Sequence, residues 1–247
     1  MKNKRLIFLV TGLVTLIAAF CFPALNGETL PGEASDWSNF GQYIGGIFSV
    51  FAFGALIWSI IDQQITHNNS EKEKRRNSVE DRIIKKIEFH HKCADKVQVV
   101  LSSTKNISIS GVHAFHDLNR RLDSYYLNNK RTHQNIGEKE LIGFSFTMLY
   151  RDHGAFFGFY FRNLFYLIKY IETSCDQNKD IDVNYYIKLV RAQLSTPEIR
   201  LLMYNCLFEK GKPFKELVEK YGLLNGIDDH EMIAPIHRQE FSGGAFK

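Results

Sequence analysis

Two stretches near the start of the chain limit its architecture more than anything else in it. Residues 6–22 read LIFLVTGLVTLIAAFCF, 17 positions without a charge, and the apolar run continues through Pro23 to Leu25. Residues 40–61 read FGQYIGGIFSVFAFGALIWSII, 22 positions without a charge. At about 1.5 Å per helical residue each can cross a hydrocarbon layer of roughly 30 Å, the first near the short limit. Lipid offers peptide groups no hydrogen bonds, so each crossing is expected to be an α-helix. Trp37, Tyr43 and Trp58 stand near the ends of the second stretch, where interfacial aromatics belong. The expectation is a transmembrane hairpin over residues 1–61, with spans at about 6–25 and 40–61 joined by a short periplasmic loop.

Lys and Arg orient it. Lys2, Lys4 and Arg5 precede the first stretch, and the connecting residues 23–39 carry Glu28, Glu33 and Asp36 with no basic residue. Lys72, Lys74, Arg75, Arg76, Arg82, Lys85, Lys86 and Lys92 follow the second. The positive-inside rule then places both termini in the cytoplasm of a multi-pass protein of a bacterial inner membrane. A cleaved signal peptide shares the basic start and short apolar run of the first stretch. Cleavage would still leave the region after Ile61 inside. Neither stretch contains an ionisable residue, which argues against a proton relay. Gly41, Gly45 and Ser49 fall at four-residue spacing on the second, and Thr11 and Thr15 on the first. Such small-residue ridges let helix backbones approach closely, either within one hairpin or between copies of the chain.

The remainder, residues 62–247, reads as one cytoplasmic all-α domain. A juxtamembrane helix over about 62–101 carries a seam of Ile83, Ile87, His90, Ala94, Val97 and Leu101. That seam suits packing inside the domain or a coiled coil between protomers. After a soft break at 102–111, Val112, Phe115, Leu118, Leu122 and Tyr125 mark one helical face, and Leu141, Phe144, Met148 and Leu149 a second. Residues 155–175 are aromatic on all sides and predict a buried helix, followed by helices at 183–194, 198–209 and 214–224. Ser195, Pro197 and Glu198 spell a helix start. The tail after Asp228 looks loosely held. With 45% hydrophobic and 23% charged residues the chain is a folding one, and 31 basic against 27 acidic residues exclude the strongly basic profile of a dedicated nucleic-acid binder. Four scattered Cys without a CxxC pair exclude a disulfide framework or zinc ribbon.

Several of these segments resemble the phage abortive-infection family of AbiC-like proteins. The likeness rests on Phe161-Arg162-Asn163-Leu164-Phe165, Ile168-Lys169-Tyr170-Ile171, Arg191-Ala192-Gln193-Leu194-Ser195, Glu198, Leu201-Leu202 and Tyr204-Asn205. Nearer the start it rests on Trp37-Ser38-Asn39-Phe40-Gly41, Tyr43-Ile44-Gly45-Gly46 and Gln63-Gln64. Its best part is residues 160–224. The resemblance implies antiphage defence at the inner membrane that ends in arrest or death of the infected cell. Two-span proteins of this kind are also the toxic partners of some retrons, which implies a reverse transcriptase with RNA-linked DNA as a controlling partner. The family supplies no catalytic residues to carry over.

Arg162, Asn163, Arg191, Gln193, Tyr204 and Asn205 are polar groups set in apolar helices. Buried polar groups need partners, so these six either form a network that fixes helix packing or line a site where Arg162 and Arg191 grip a phosphate or carboxylate. The pairs His90/Cys93 and His113/His116 have helical metal-ligand spacing, but such pairs arise readily by chance among nine His. Arg-x(4–6)-His, Walker, GxSxG and HExxH signatures are absent. No catalytic residue, metal or cofactor is expected. The expected partners are the lipid bilayer, further copies of the chain when active, and the reverse transcriptase complex; direct contact with nucleic acid stays open. The leading expectation is an effector that oligomerises and permeabilises the membrane. The alternatives are a membrane-tethered toxic enzyme acting on RNA or a nucleotide, and a scaffold that recruits another defence protein.

Overall fold

The computed structural model describes residue 12 and residues 34–102 and 107–247. The first expected span, with Thr11 and Thr15, lies outside the described residues apart from Gly12, so the two-helix hairpin remains an expectation. The chain divides into two compact units, Met1–Glu73 and Lys74–Lys247. The molecule is mostly helical.

In the first unit the described residues from Ala34 onward are helical. They begin α1, which runs Ala34–Asp95 and carries the chain from one unit into the other. Its apolar side chains face outward. Val50 is 71% exposed and Phe53 65%, and Leu56, Ile57, Trp58, Ile60 and Ile61 are also exposed. Beyond the helix's own adjacent backbone, no described atom lies within 4 Å of where a Cβ would stand on Gly41, Gly45, Gly46 or Gly54. Ser49 Oγ donates to the Gly46 carbonyl at 2.7 Å and so is satisfied within its own helix.

The second unit is built around the far end of α1, where Val79, Ile83, Ile87, His90 and Cys93 are buried. Steps of three and four residues put them on one face, and that face packs inside the unit. The helix ends at Asp95, earlier than expected, and Leu101 is exposed on a strand. Two short strands, β1 (Gln98–Ser102) and β2 (Ile107–Ser110), pair antiparallel with Val99 opposite Ile109. The soft break of the sequence is therefore a small sheet, and the domain is not purely helical. Its period of two is visible after the fact: Val97 and Val99 point into the core, Val100 and Ile107 outward. Four or five residues per strand are too few to stand out against helical patterning.

Gly111 adopts φ 59° at the turn into α2, Val112–Thr132. Phe115, Leu118, Leu122 and Tyr126 of α2 are buried. Next comes α3, Glu138–Gln177, a single helix of 40 residues where two were expected. Glu138 and Glu140 in its first turn suit the positive end of the helix dipole. Gly154 and Gly158 do not break it because the Tyr150 side chain fills the space their missing side chains leave. A Cβ on Gly154 would stand 2.9 Å from the ring, and one on Gly158 3.1 Å from the hydroxyl. The aromatic half of α3 is buried on one side only; Tyr166 is 67% exposed.

Asp182 caps α4 (Val183–Gln193) by accepting from Asn184 N–H at 2.9 Å. The Ser195/Glu198 capping box and Pro197 open α5, Thr196–Leu207. A 3-10 turn, Glu209–Gly211, leads into α6, Lys212–Tyr221, which Gly222 ends in the left-handed region at φ 62°. The tail is not loose. Three 3-10 turns carry Met232, His237, Phe241 and Ala245 into buried positions, and Leu224 N–H donates to the Ala245 carbonyl at 2.9 Å.

Candidate functional site

A buried polar cluster joins α1, α3 and α5. The capping box places the Glu198 carboxylate at the start of α5, where unpaired N–H groups and the helix dipole favour an anion. Glu198 Oε2 accepts from Ser195 N–H at 2.8 Å and from the Ser195 hydroxyl, while Oε1 accepts from the Tyr160 hydroxyl at 2.8 Å. The Tyr160 ring stacks on His90 at 4.7 Å and meets Phe115 edge-on at 4.8 Å. His90 Nδ1 lies 3.1 Å from Asn163 Oδ1, which assigns the ring proton to Nδ1, and Nε2 is buried without a partner among the described residues. Burial holds His90 below the usual histidine range, and the Asn163 bond opposes it. Burial, reinforced by Glu198, pushes the Tyr160 hydroxyl well up. Tyr160 is 0% exposed and His90 3%, so no substrate reaches this cluster as it stands. It ties three helices together.

A second network fastens the tail. The Tyr204 hydroxyl accepts from Ile233 N–H at 2.7 Å and sits 3.3 Å from His237 Nδ1. His237 Nε2 is 3.5 Å from Glu138 Oε2, at the limit of a hydrogen bond. Glu138 also accepts from Tyr126 at 2.7 Å and from Lys130 at 2.8 Å, and these bonds, Lys130 first, hold its carboxyl below the usual range. Burial pushes Tyr204 up to about 12 and His237 down. Beside this network an open cleft of about 630 Å³ is lined by His116, Asn119, Asp123, Arg200 and Ile233 among others. Its guanidinium is already engaged: Arg200 donates twice to Asp123 and once to the Glu231 carbonyl.

The six polar residues singled out in the sequence occupy separate places. Asn163 belongs to the first cluster and Tyr204 to the second. Arg191 is half-buried and Gln193 exposed at the end of α4. Arg162 and Asn205, 43 positions apart in sequence, meet at a smaller cavity of about 260 Å³ between α3 and the α5–α6 junction. Its walls are Tyr150, Phe161, Phe165, Tyr166 and Phe214, and among the described residues the charged ones that line it are Arg162 and Lys210. Lys210 Nζ lies over the Tyr150 ring, 5.1 Å from its centre. Arg191 does not line this cavity. The junction closes tightly because Gly211 has no side chain; a Cβ there would stand 1.7 Å from the Asn205 carbonyl oxygen.

In the sequence Glu198 stood out as a helix cap and within the family resemblance, while Tyr160, Lys210 and His237 were given no place in a site. The cap signature at Glu198 and the polar Asn163 in an apolar helix were the signals that pointed toward the first cluster. Cys93 is buried, which raises its thiol pKa, and His90 is bound to Asn163. Among the described residues no group of three or more His, Cys, Asp or Glu is placed to hold a metal ion. One described helix, α1, is long and apolar enough to cross a membrane.

Residues 152–232 match the family model described as "Putative phage abortive infection protein". That segment, about a third of the chain, is what is similar to an AbiC-like abortive-infection family. The matched segment contains every residue named on the Arg162 cavity except Tyr150. No curated protein and no solved structure matches the chain.

Proposed function

We propose that this chain, AbiC-like over residues 152–232, is a membrane effector of abortive infection that acts by making the inner membrane leaky. The observation that carries the reading is the outward-facing apolar surface of α1 between Val50 and Ile61. A contiguous apolar face of this length is rarely left to water, and hydrocarbon satisfies it. The basic residues from Lys72 to Lys92 hold the following domain on the cytoplasmic side. Spans without charge cannot enclose water as a single copy, because each must turn apolar sides to lipid. Several copies, packed along Gly41, Gly45 and Ser49, can turn Gln42 toward a lumen. In uninfected cells a partner keeps the protein silent; a reverse transcriptase with its RNA-linked DNA is the partner that the family resemblance supplies.

Inducing the full chain in growing bacteria tests this. Membrane potential, read with a voltage-sensitive dye, is expected to collapse before growth stops, and Gly41→Leu or Gly45→Leu to prevent it. Arrest with potential intact overturns the reading. Toxicity of residues 62–247 expressed alone would transfer the harmful activity to the helical domain and favour a tethered enzyme.

A further inference from the structure

We infer that the cavity between α3 and the α5–α6 junction is a binding site for a nucleoside 5′-phosphate group. Three observations converge there. First, the two charged residues on its wall are both cations, Arg162 and Lys210, and among the described residues no carboxylate lines it. Arg162 is exposed and forms no ion pair among the described residues. Second, the wall is aromatic, from Tyr150 and Phe161 through Phe165 and Tyr166 to Phe214. Third, Asn205, a polar side chain only 6% exposed, lines the cavity.

Each feature addresses a different part of one ligand. The guanidinium of Arg162 presents paired donors to phosphate oxygens, and Lys210 adds a point charge. The exposed ring of Tyr166 provides a face for a planar base, and base-on-aromatic stacking tolerates any base. The Asn205 amide offers one donor and one acceptor to the base edge, as buried amides do elsewhere. About 260 Å³ is small by ligand-site standards, which fits one nucleotide rather than a dinucleotide or a duplex. The larger cleft at Arg200 is the weaker candidate, because Asp123 already occupies its guanidinium.

The phosphate can come from a free nucleotide or from the 5′ end of a single strand. Binding to the cavity stands whether or not the spans form a pore, since its readout involves no leakage. The test is calorimetry on the full chain in lipid nanodiscs, with AMP, adenosine and a 5′-phosphorylated pentathymidylate as separate probes. AMP is expected to bind, adenosine to bind at least tenfold more weakly, and Arg162→Ala and Lys210→Ala each to weaken AMP binding tenfold to a hundredfold. Arg162→Lys, which keeps the charge and loses the fork, is expected to fall between wild type and Arg162→Ala. Binding of the oligonucleotide without AMP supports the site and assigns it to a strand end. Failure of both phosphate probes at millimolar concentration, or binding that Arg162→Ala and Lys210→Ala leave unchanged, overturns the proposal. Thermal unfolding of each variant alongside wild type confirms that a loss belongs to the site and not to the fold.

Discussion

Tyr160→Phe isolates one bond in the centre of the helical domain. The substitution removes a single oxygen and leaves the ring, so its packing on His90 at 4.7 Å and its edge-on contact with Phe115 at 4.8 Å persist. What disappears is the 2.8 Å hydrogen bond to Glu198 Oε1. Glu198 is 7% exposed and keeps its two bonds from Ser195, so the carboxylate stays where it is with one acceptor unsatisfied. Hydrogen bonds to charged groups contribute about 1.5–3 kcal/mol, which sets the expected loss at about 2 kcal/mol. For a domain of this size that is a fall in Tm of about 4–8 °C. The assay is near-ultraviolet circular dichroism of the full chain in detergent, followed against temperature and urea. In a Glu198→Gln background the same Tyr160→Phe change should cost at least about 1 kcal/mol less, since the charge that strengthened the bond is gone. A Tm change below about 2 °C, or strict additivity of the two substitutions, would refute the reasoning.

Ile83→Ala should cost about 2–4 kcal/mol by leaving a cavity at a fully buried position on α1, and the loss should not vary with protein concentration. A concentration-dependent loss would mean that the seam packs between copies, and equilibrium urea unfolding at two concentrations decides it. Gly211→Ala keeps an allowed backbone, φ −92°, yet puts a methyl group against the Asn205 carbonyl, so it should cost about 3 kcal/mol or more in the same assay. His90 and His237 are buried with their pKa values depressed by burial, so the unfolded chain binds protons that the native state refuses. Stability should therefore fall as pH drops from about 6.5 through the depressed native values, and His237→Gln should flatten part of that slope.

How much of this could be seen in advance depends on how far apart the interacting residues lie. The start of α5 was legible because its whole signal, Ser195 to Glu198, fits in four residues. The seam of α1 was legible as a face, and Ile83 and Ile87 are buried as a helical period requires. The end of α1 was not, because the sheet after it needs the pairing of Val99 with Ile109 across a turn. Continuity of α3 was not legible, because its first part reads as one amphipathic face at Leu141, Phe144, Met148 and Leu149 and its second, 155–175, as aromatic on all sides, a change of pattern within a single helix. The tail looked loose because its buried groups come singly, His237 among them, and each is held by a residue of an earlier helix. The Arg162 cavity was half legible: Arg162 and Asn205 stood out as polar residues in apolar helices. The contribution of Lys210, and the exclusion of Arg191, follow only from how α3 meets the α5–α6 junction. The pairing of His90 with Asn163 spans 73 positions, beyond the reach of any local pattern.

Everything proposed about action at the membrane requires that the apolar surface of α1 lie in hydrocarbon. Alkaline carbonate extraction of membranes from cells producing the chain at a sub-toxic level measures this directly, because it strips peripheral proteins and leaves spanning ones in the pellet. The chain is expected to stay with the pellet and enter the supernatant only when detergent is added. Release by carbonate alone, or recovery in the soluble fraction before extraction, would contradict the account.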